Sequence, residues 1–203
     1  MTRFSAVIAF GAISLLAAPA AAETVFDNYT GTTGADLNAT FIAAGFTPSA
    51  DYNFTDASAF VHNQGPDPEL FSIALYSSTA SAGPDAQLWT SGAVSAPGAA
   101  YTLVSASYNG SPITLQKDEE YFFVLELTNT AFGGQVFWAE HGKTPVQTFH
   151  SPDGSSWNAF AAPVDLQFQV FGAAVPESST WAMMLLGFAG LSYAGYPRAL
   201  RTA

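Results

Sequence analysis

Between residues 23 and 172, apolar and polar positions alternate with a period of two, and no stretch sustains the 3.6-residue period of an amphipathic helix. In "ELFSIALYSS" (69–78), Phe71, Ile73 and Leu75 share one face. In "AAYTLVSASY" (99–108), Tyr101, Leu103 and Ser105 alternate with Thr102, Val104 and Ala106. "EEYFFVLELT" (119–128) is apolar on both faces until Glu126, which predicts a central strand. "PVDLQFQVFG" (163–172) turns Val164, Leu166, Phe168 and Val170 inward and Asp165, Gln167 and Gln169 outward, the pattern of a half-buried strand.

Turn residues punctuate these segments. Asn109-Gly110, Gly133-Gly134 and Asp153-Gly154 each separate two such runs, and Asn-Gly supplies the positive φ that a type I′ hairpin turn requires. Strands spaced by about 8–12 residues predict an all-β fold, an antiparallel β-sandwich of the jelly-roll type with roughly eight to ten strands. The stretch "DNYTGTTGADLNATFIAAGF" (27–46) lacks this regularity and predicts a loop or a short helical turn.

Composition sharpens the picture. Charged residues are 10% of the 203, yet hydrophobic residues are 49%, so the scarcity of charge is not that of a disordered chain. From Glu23 to Val175 two basic residues stand against fifteen acidic ones, a net charge of −13. Such a surface repels phosphate backbones and argues against nucleic acid as a partner. The absence of cysteine removes disulfides, thiolate nucleophiles and Cys-based zinc sites.

Both ends read as addresses. Arg3, the apolar run Phe4 to Ala18, and Pro19 before Ala20-Ala21-Ala22 form a secretory signal with small residues at Ala20 and Ala22, cut before Glu23. The other end carries Trp181 to Tyr196, sixteen uncharged residues. As a helix this segment is about 24 Å long, short of the roughly 30 Å hydrocarbon core. Arg198 and Arg201 follow as stop-transfer charges on the cytoplasmic side. The expected organisation is a signal peptide (1–22), a β-sandwich (23–172), a linker with a sorting motif (173–180), a single transmembrane helix (181–196) and a basic cytoplasmic tail (197–203).

Val175-Pro176-Glu177, then Trp181-Ala182 and the apolar run, then the basic end, resemble the PEP-CTERM sorting signal. Ser178 stands where that family has a second proline, and Pro197 interrupts the basic end, departures expected to slow processing. The resemblance implies export through the Sec translocon and a transient stay in the inner membrane of a Gram-negative bacterium. It further implies cleavage near Pro176-Glu177 by exosortase, then residence at the cell surface or in an exopolysaccharide matrix. The central region is similar in general outline to choice-of-anchor β-sandwich domains, in "FSIALYSSTASAGPDAQLWTSG", "LQKDEEYFFVLEL" and "VFWAEHG".

No nucleophile elbow, His-Glu-x-x-His pair or phosphate loop occurs, and His62, His141 and His150 are scattered. The chain therefore reads as non-enzymatic, structural or adhesive; hydrolysis of a glycoside would need two carboxylates gathered by the fold about 5–10 Å apart. Trp157, Trp138 and Trp89 are candidates for a carbohydrate platform, with Trp157 in the turn-like "DGSSWN", although a sandwich usually buries its tryptophans. No cofactor is expected, with one candidate exception: Asp67, Glu69, Asp118 and Glu120 offer the oxygen ligands of Ca²⁺, but acidic residues beside Pro and Gly more often serve as solvated turn residues.

Overall fold

The computed structural model describes residues 21–32, 36–37, 39–64, 69–78, 83–96, 98, 100–127, 136–176 and 183–189. Along them run β1 (Ala22–Asp27), β2 (Asp36–Leu37), β3 (Phe41–Phe46), β4 (Tyr52–Asn63), β5 (Glu69–Ser78), β6 (Pro84–Thr90) and β7 (Val94–Ala96). There follow β8 (Thr102–Ser107), β9 (Thr114–Leu115), β10 (Tyr121–Leu127), β11 (Val136–Ala139), β12 (Thr148–Ser151), β13 (Asn158–Ala159) and β14 (Phe168–Ala174).

The strands form two antiparallel seven-stranded sheets, so the chain is a β-sandwich. The first sheet has the order β1-β14-β4-β11-β2, with β8 and β9 also on β4; the second runs β13-β12-β3-β10-β5-β6, with β7 on β5. Fourteen described strands exceed the expected eight to ten because four of them, β2, β7, β9 and β13, are pieces of only two or three residues.

The long strand β4 is the spine of the first sheet. One of its edges takes β14 and then β11, and the other takes β9 and then β8. That arrangement corrects the Asn109-Gly110 reading. β8 and β9 do not pair with each other, and neither Asn109 nor Gly110 has positive φ, so no I′ turn forms. The loop instead carries the chain from one stretch of β4 to the next, fastened by the Tyr108 hydroxyl donating to the Ser111 carbonyl. Gly133-Gly134 lies outside the described residues, and the strands on either side, β10 and β11, belong to different sheets and do not pair with each other. Asp153-Gly154 does lie in a hairpin: β12 pairs with β13, and Gly154 has φ 74°.

The sheets meet in an aromatic core. Phe123, Trp138 and Phe168 are essentially inaccessible, and their rings lie 4.9 to 5.8 Å apart. Each such ring removes large apolar area from water, worth about 2–3 kcal/mol at full burial. β10 lies between β3 and β5 as its two apolar faces demand: Tyr121, Phe123, Leu125 and Leu127 enter the main core. Phe122 and Val124 join Ala43, Ala74, Tyr76 and Phe149 in a second cluster on the outer face.

β3 corrects the loop reading of 41–46. Two of its three outward positions, Ala43 and Gly45, are small, and Gly45 packs so closely that an added Cβ would sit 3.3 Å from Glu120 and from Phe122. β14 also runs two residues past the expected domain limit, to Ala174, and the Val175 N–H then donates to the Asp51 carbonyl at 2.9 Å. Among the described residues, no helix is long and apolar enough to cross a membrane. A short helix covers 183–189, and the remainder of the expected 181–196 span lies outside the described residues.

Candidate functional site

The outer face of the second sheet brings an aromatic ring, a carboxylate and an amide together. β5 supplies Tyr76, the adjacent β10 supplies Glu126, and β6 supplies Gln87. The Tyr76 hydroxyl donates to Glu126 Oε1 at 2.9 Å, and Gln87 Nε2 donates to the same oxygen at 2.9 Å. Burial raises the Glu126 carboxyl above the usual range, against the opposing pull of these two donors. Burial, and then the negative charge of Glu126, also raises the Tyr76 phenol.

Trp157 joins this group from the β12–β13 loop. Its ring meets Tyr76 edge-on at 6.0 Å and Phe41 edge-on at 6.4 Å, leaving the indole half-buried. Asp153 shapes that loop: its Oδ1 accepts from the Ser155 and Ser156 N–H groups at 2.9 and 3.0 Å and from the Ser151 and Ser156 hydroxyls. Those donors, the two backbone amides first, hold the Asp153 carboxyl well below its ordinary value. Chemically, the strip Trp157–Tyr76–Glu126–Gln87 offers a π-face beside an acceptor and an amide, the equipment for holding a hydroxylated ring.

The other tryptophans are elsewhere. Trp138 is fully buried, its indole N–H donating to the Gln167 carbonyl at 2.8 Å, so it presents no face to a ligand and leaves the candidate platform. Trp89 is half-buried against Phe54 and Tyr108 at the edge of the main core, on the opposite face of the sheet from Trp157.

The acidic candidates are not drawn together. Asp67 lies outside the described residues; Glu69 opens β5. Asp118 is exposed, in a positive-φ turn, 4.0 Å from Lys117. Glu120 accepts from the Ser78 hydroxyl at 2.9 Å and, with Glu119, lines an open cavity of about 290 Å³. No group of three or more His, Asp or Glu side chains among the described residues is spaced to hold a metal ion.

Of the processing residues, Ala22 and Glu23 are exposed at the start of β1, Val175 is half-buried and Pro176 is exposed. Ala20, Glu177, Trp181, Arg198 and Arg201 lie outside the described residues.

A second polar cluster was not anticipated. Gln167, expected outward, is completely buried. Its Oε1 accepts from the Thr30 N–H, the Thr30 hydroxyl and the Gly31 N–H, and its Nε2 donates to the Thr32 and Glu140 carbonyls at 2.6 Å each. Asn28, also fully buried, donates to the Thr144 and Leu166 carbonyls and accepts the Thr144 N–H. An added Cβ on Gly142 would strike the Asn28 amide, so a glycine is needed there. Together the two amides tie three loops at one end of the sandwich, and every one of their polar groups is satisfied, as a buried network requires. Asn28 in a Thr/Gly-rich stretch and Gln167 at an apparent outward strand position gave no sequence signal for this.

No protein-family model, no curated protein and no solved structure matches the chain.

Proposed function

We propose that the chain is an exported, non-enzymatic surface or matrix protein: a jelly-roll-type sandwich delivered by a cleaved leader and sorted by its tail. The exposed apolar helix at the end of the fold carries this reading. Over 183–189 every residue is exposed, with Met183 at 69%, Leu185 at 68% and Leu186 at 65%, so the sandwich does not supply the apolar environment these side chains require. A bilayer would supply it. Upstream, the strand ends at Ala174 and Val175 is still tied to Asp51, while Pro176 is exposed, so a cut near Pro176-Glu177 would leave the sandwich whole. Strands alternating between the sheets, as β3, β4 and β5 do, support the jelly-roll assignment.

On this reading the partners are the Sec translocon and exosortase during export, and extracellular polysaccharide afterwards, in a Gram-negative host. The net charge of −13 over residues 23–175 disfavours nucleic acid. Intact mass of the native protein from membrane and extracellular fractions tests it. An extracellular species running from Glu23 to near Pro176 is the expected result; a membrane species retaining residues through Ala203 as the sole product would overturn tail processing.

A second reading is favoured by the strip Trp157–Tyr76–Glu126–Gln87: a module that binds neutral glycan. An aromatic face stacks on a sugar ring while carboxylate and amide bond its hydroxyls, and the surrounding negative charge selects against an anionic polymer.

A further inference from the structure

β1 and β14, the first and last of the described strands, are neighbours, and Ala22 faces Ala173 while Glu23 faces Gly172. Among the described residues β14 is the only strand that pairs with β1. The bond expected to be cut by signal peptidase, Ala22–Glu23, therefore joins the first two residues of a ladder that exists only when β14 is in place.

We infer that folding itself closes the leader-cleavage site: the Ala22–Glu23 bond is open to the peptidase until β1 docks on β14, and shut afterwards. The inference rests on reading residues 1–22 as a cleaved export signal. A protease takes its substrate as an extended, unpaired backbone and must reach the carbonyl on one side of the bond and the side chains before it. A strand paired in register and packed from one side does not offer this without first peeling away.

β1 is held firmly enough for that to matter. A β-bulge between Thr24 and Phe26 turns both Val25 and Phe26 toward the core. Val25 is 9% exposed, and Phe26 stacks on Phe168 with 4.9 Å between centroids. Gly172 permits the close approach: a Cβ there would sit 2.9 Å from Tyr52 Cβ and 3.0 Å from Val25 Cγ2. At the far end of the strand, Asp27 pairs with Lys143 and accepts from Gln169.

The order of events follows from the topology. Export proceeds from the N-terminus, so β14 emerges last and β1 has no partner until it does. The cleavage window spans nearly the whole crossing, and a chain that folds with its leader attached keeps it. Tail processing has no such window, because Pro176 is exposed beyond the last strand residue.

The test uses the full 203-residue chain in non-ionic detergent with a bacterial leader peptidase. One sample is folded first; the other is diluted from urea directly into enzyme. Cleavage before Glu23, followed by mass spectrometry, is expected to be at least about tenfold slower in the folded sample. Val25→Asp, which detaches β1, is expected to restore fast cleavage in the folded state. Gly172→Ala, which crowds the same contact, serves if the first variant does not fold. Equal rates for folded and freshly diluted chain would overturn the inference. No cut before Glu23 in either sample, with a control leader cleaved normally, would instead remove the export-signal reading on which it rests.

Discussion

Gln167 Oε1 holds Thr30 twice, accepting its backbone N–H at 3.0 Å and its hydroxyl at 3.1 Å. The other end of the same amide bridges the Thr32 and Glu140 carbonyls. Replacing it with an apolar group of similar size strands two acceptors and up to three donors, some of which water can reach. Gln167→Leu is therefore expected to lower stability by about 2–4 kcal/mol in urea unfolding. Gln167→Glu keeps the size and the acceptor but cannot donate, and should cost a comparable amount. A loss under about 0.5 kcal/mol in both variants would show that the loops hold without the amide.

Glu126 should make stability fall as pH rises. Its folded pKa is raised above the ordinary value of 4.5, chiefly by burial, so the folded state binds the proton more tightly than the unfolded state. Stability is then highest below the unfolded value and declines as pH climbs from there through the folded value. Glu126→Gln retains an oxygen for Tyr76 and Gln87 and removes the titration. It should be as stable as the native chain or more so near neutral pH, with a flatter profile from about pH 4 to pH 7. Parallel profiles for the two proteins would contradict the assignment.

Asp153 works in the opposite direction. Its carboxyl is lowered below 3.8 by the Ser155 and Ser156 amides, so its contribution is present above the unfolded value and lost as pH falls through the folded one. Asp153→Ala removes the acceptor that closes the loop, and the amides of Ser155 and Ser156 should exchange with solvent deuterium faster than in the native protein. Unchanged exchange would mean that the Ser151 hydroxyl, which accepts from the Gly154 N–H at 2.9 Å, suffices to shape the loop.

What the sequence disclosed depended on whether each element carried a one-residue alternation of bulk. β5 and β14 do, β10 declares itself instead by two apolar faces, and all three lie as their patterns require. β3 does not, because its outward positions include Ala43 and Gly45, which fit beneath neighbouring side chains rather than projecting bulk of their own. Asn109-Gly110 misleads because the edge of β4 is long enough to seat two short strands end to end, a long-range fact invisible in a dipeptide. Gln167 escapes the outward assignment because β14 begins only at Phe168, and strand parity does not extend past the ladder. The turn-like "DGSSWN" already sets Trp157 apart from Trp138: Trp138 lies in β11 and is sealed in the core, whereas Trp157, in the β12–β13 loop, keeps part of its surface.

Trp157 decides between the two readings of the sandwich. In the glycan reading its indole supplies the stacking face, with Glu126 and Gln87 bonding hydroxyls, and Trp157→Ala should lower affinity for neutral polysaccharide by about tenfold or more, the loss of 1.4 kcal/mol or greater. Because Trp157 also seals the second cluster against Phe41 and Tyr76, the same variant should lose roughly 1–2 kcal/mol of stability, as expected for a half-buried ring. Gln87→Ala separates the two effects: Gln87 is exposed on β6 and its removal should reduce glycan affinity while leaving the urea midpoint close to native. Isothermal titration against the exopolysaccharide of a matrix-forming bacterium reads the first effect and urea unfolding the second. If the native protein shows no affinity and only stability responds to Trp157→Ala, the strip is a satellite core, and the sandwich serves as structure alone.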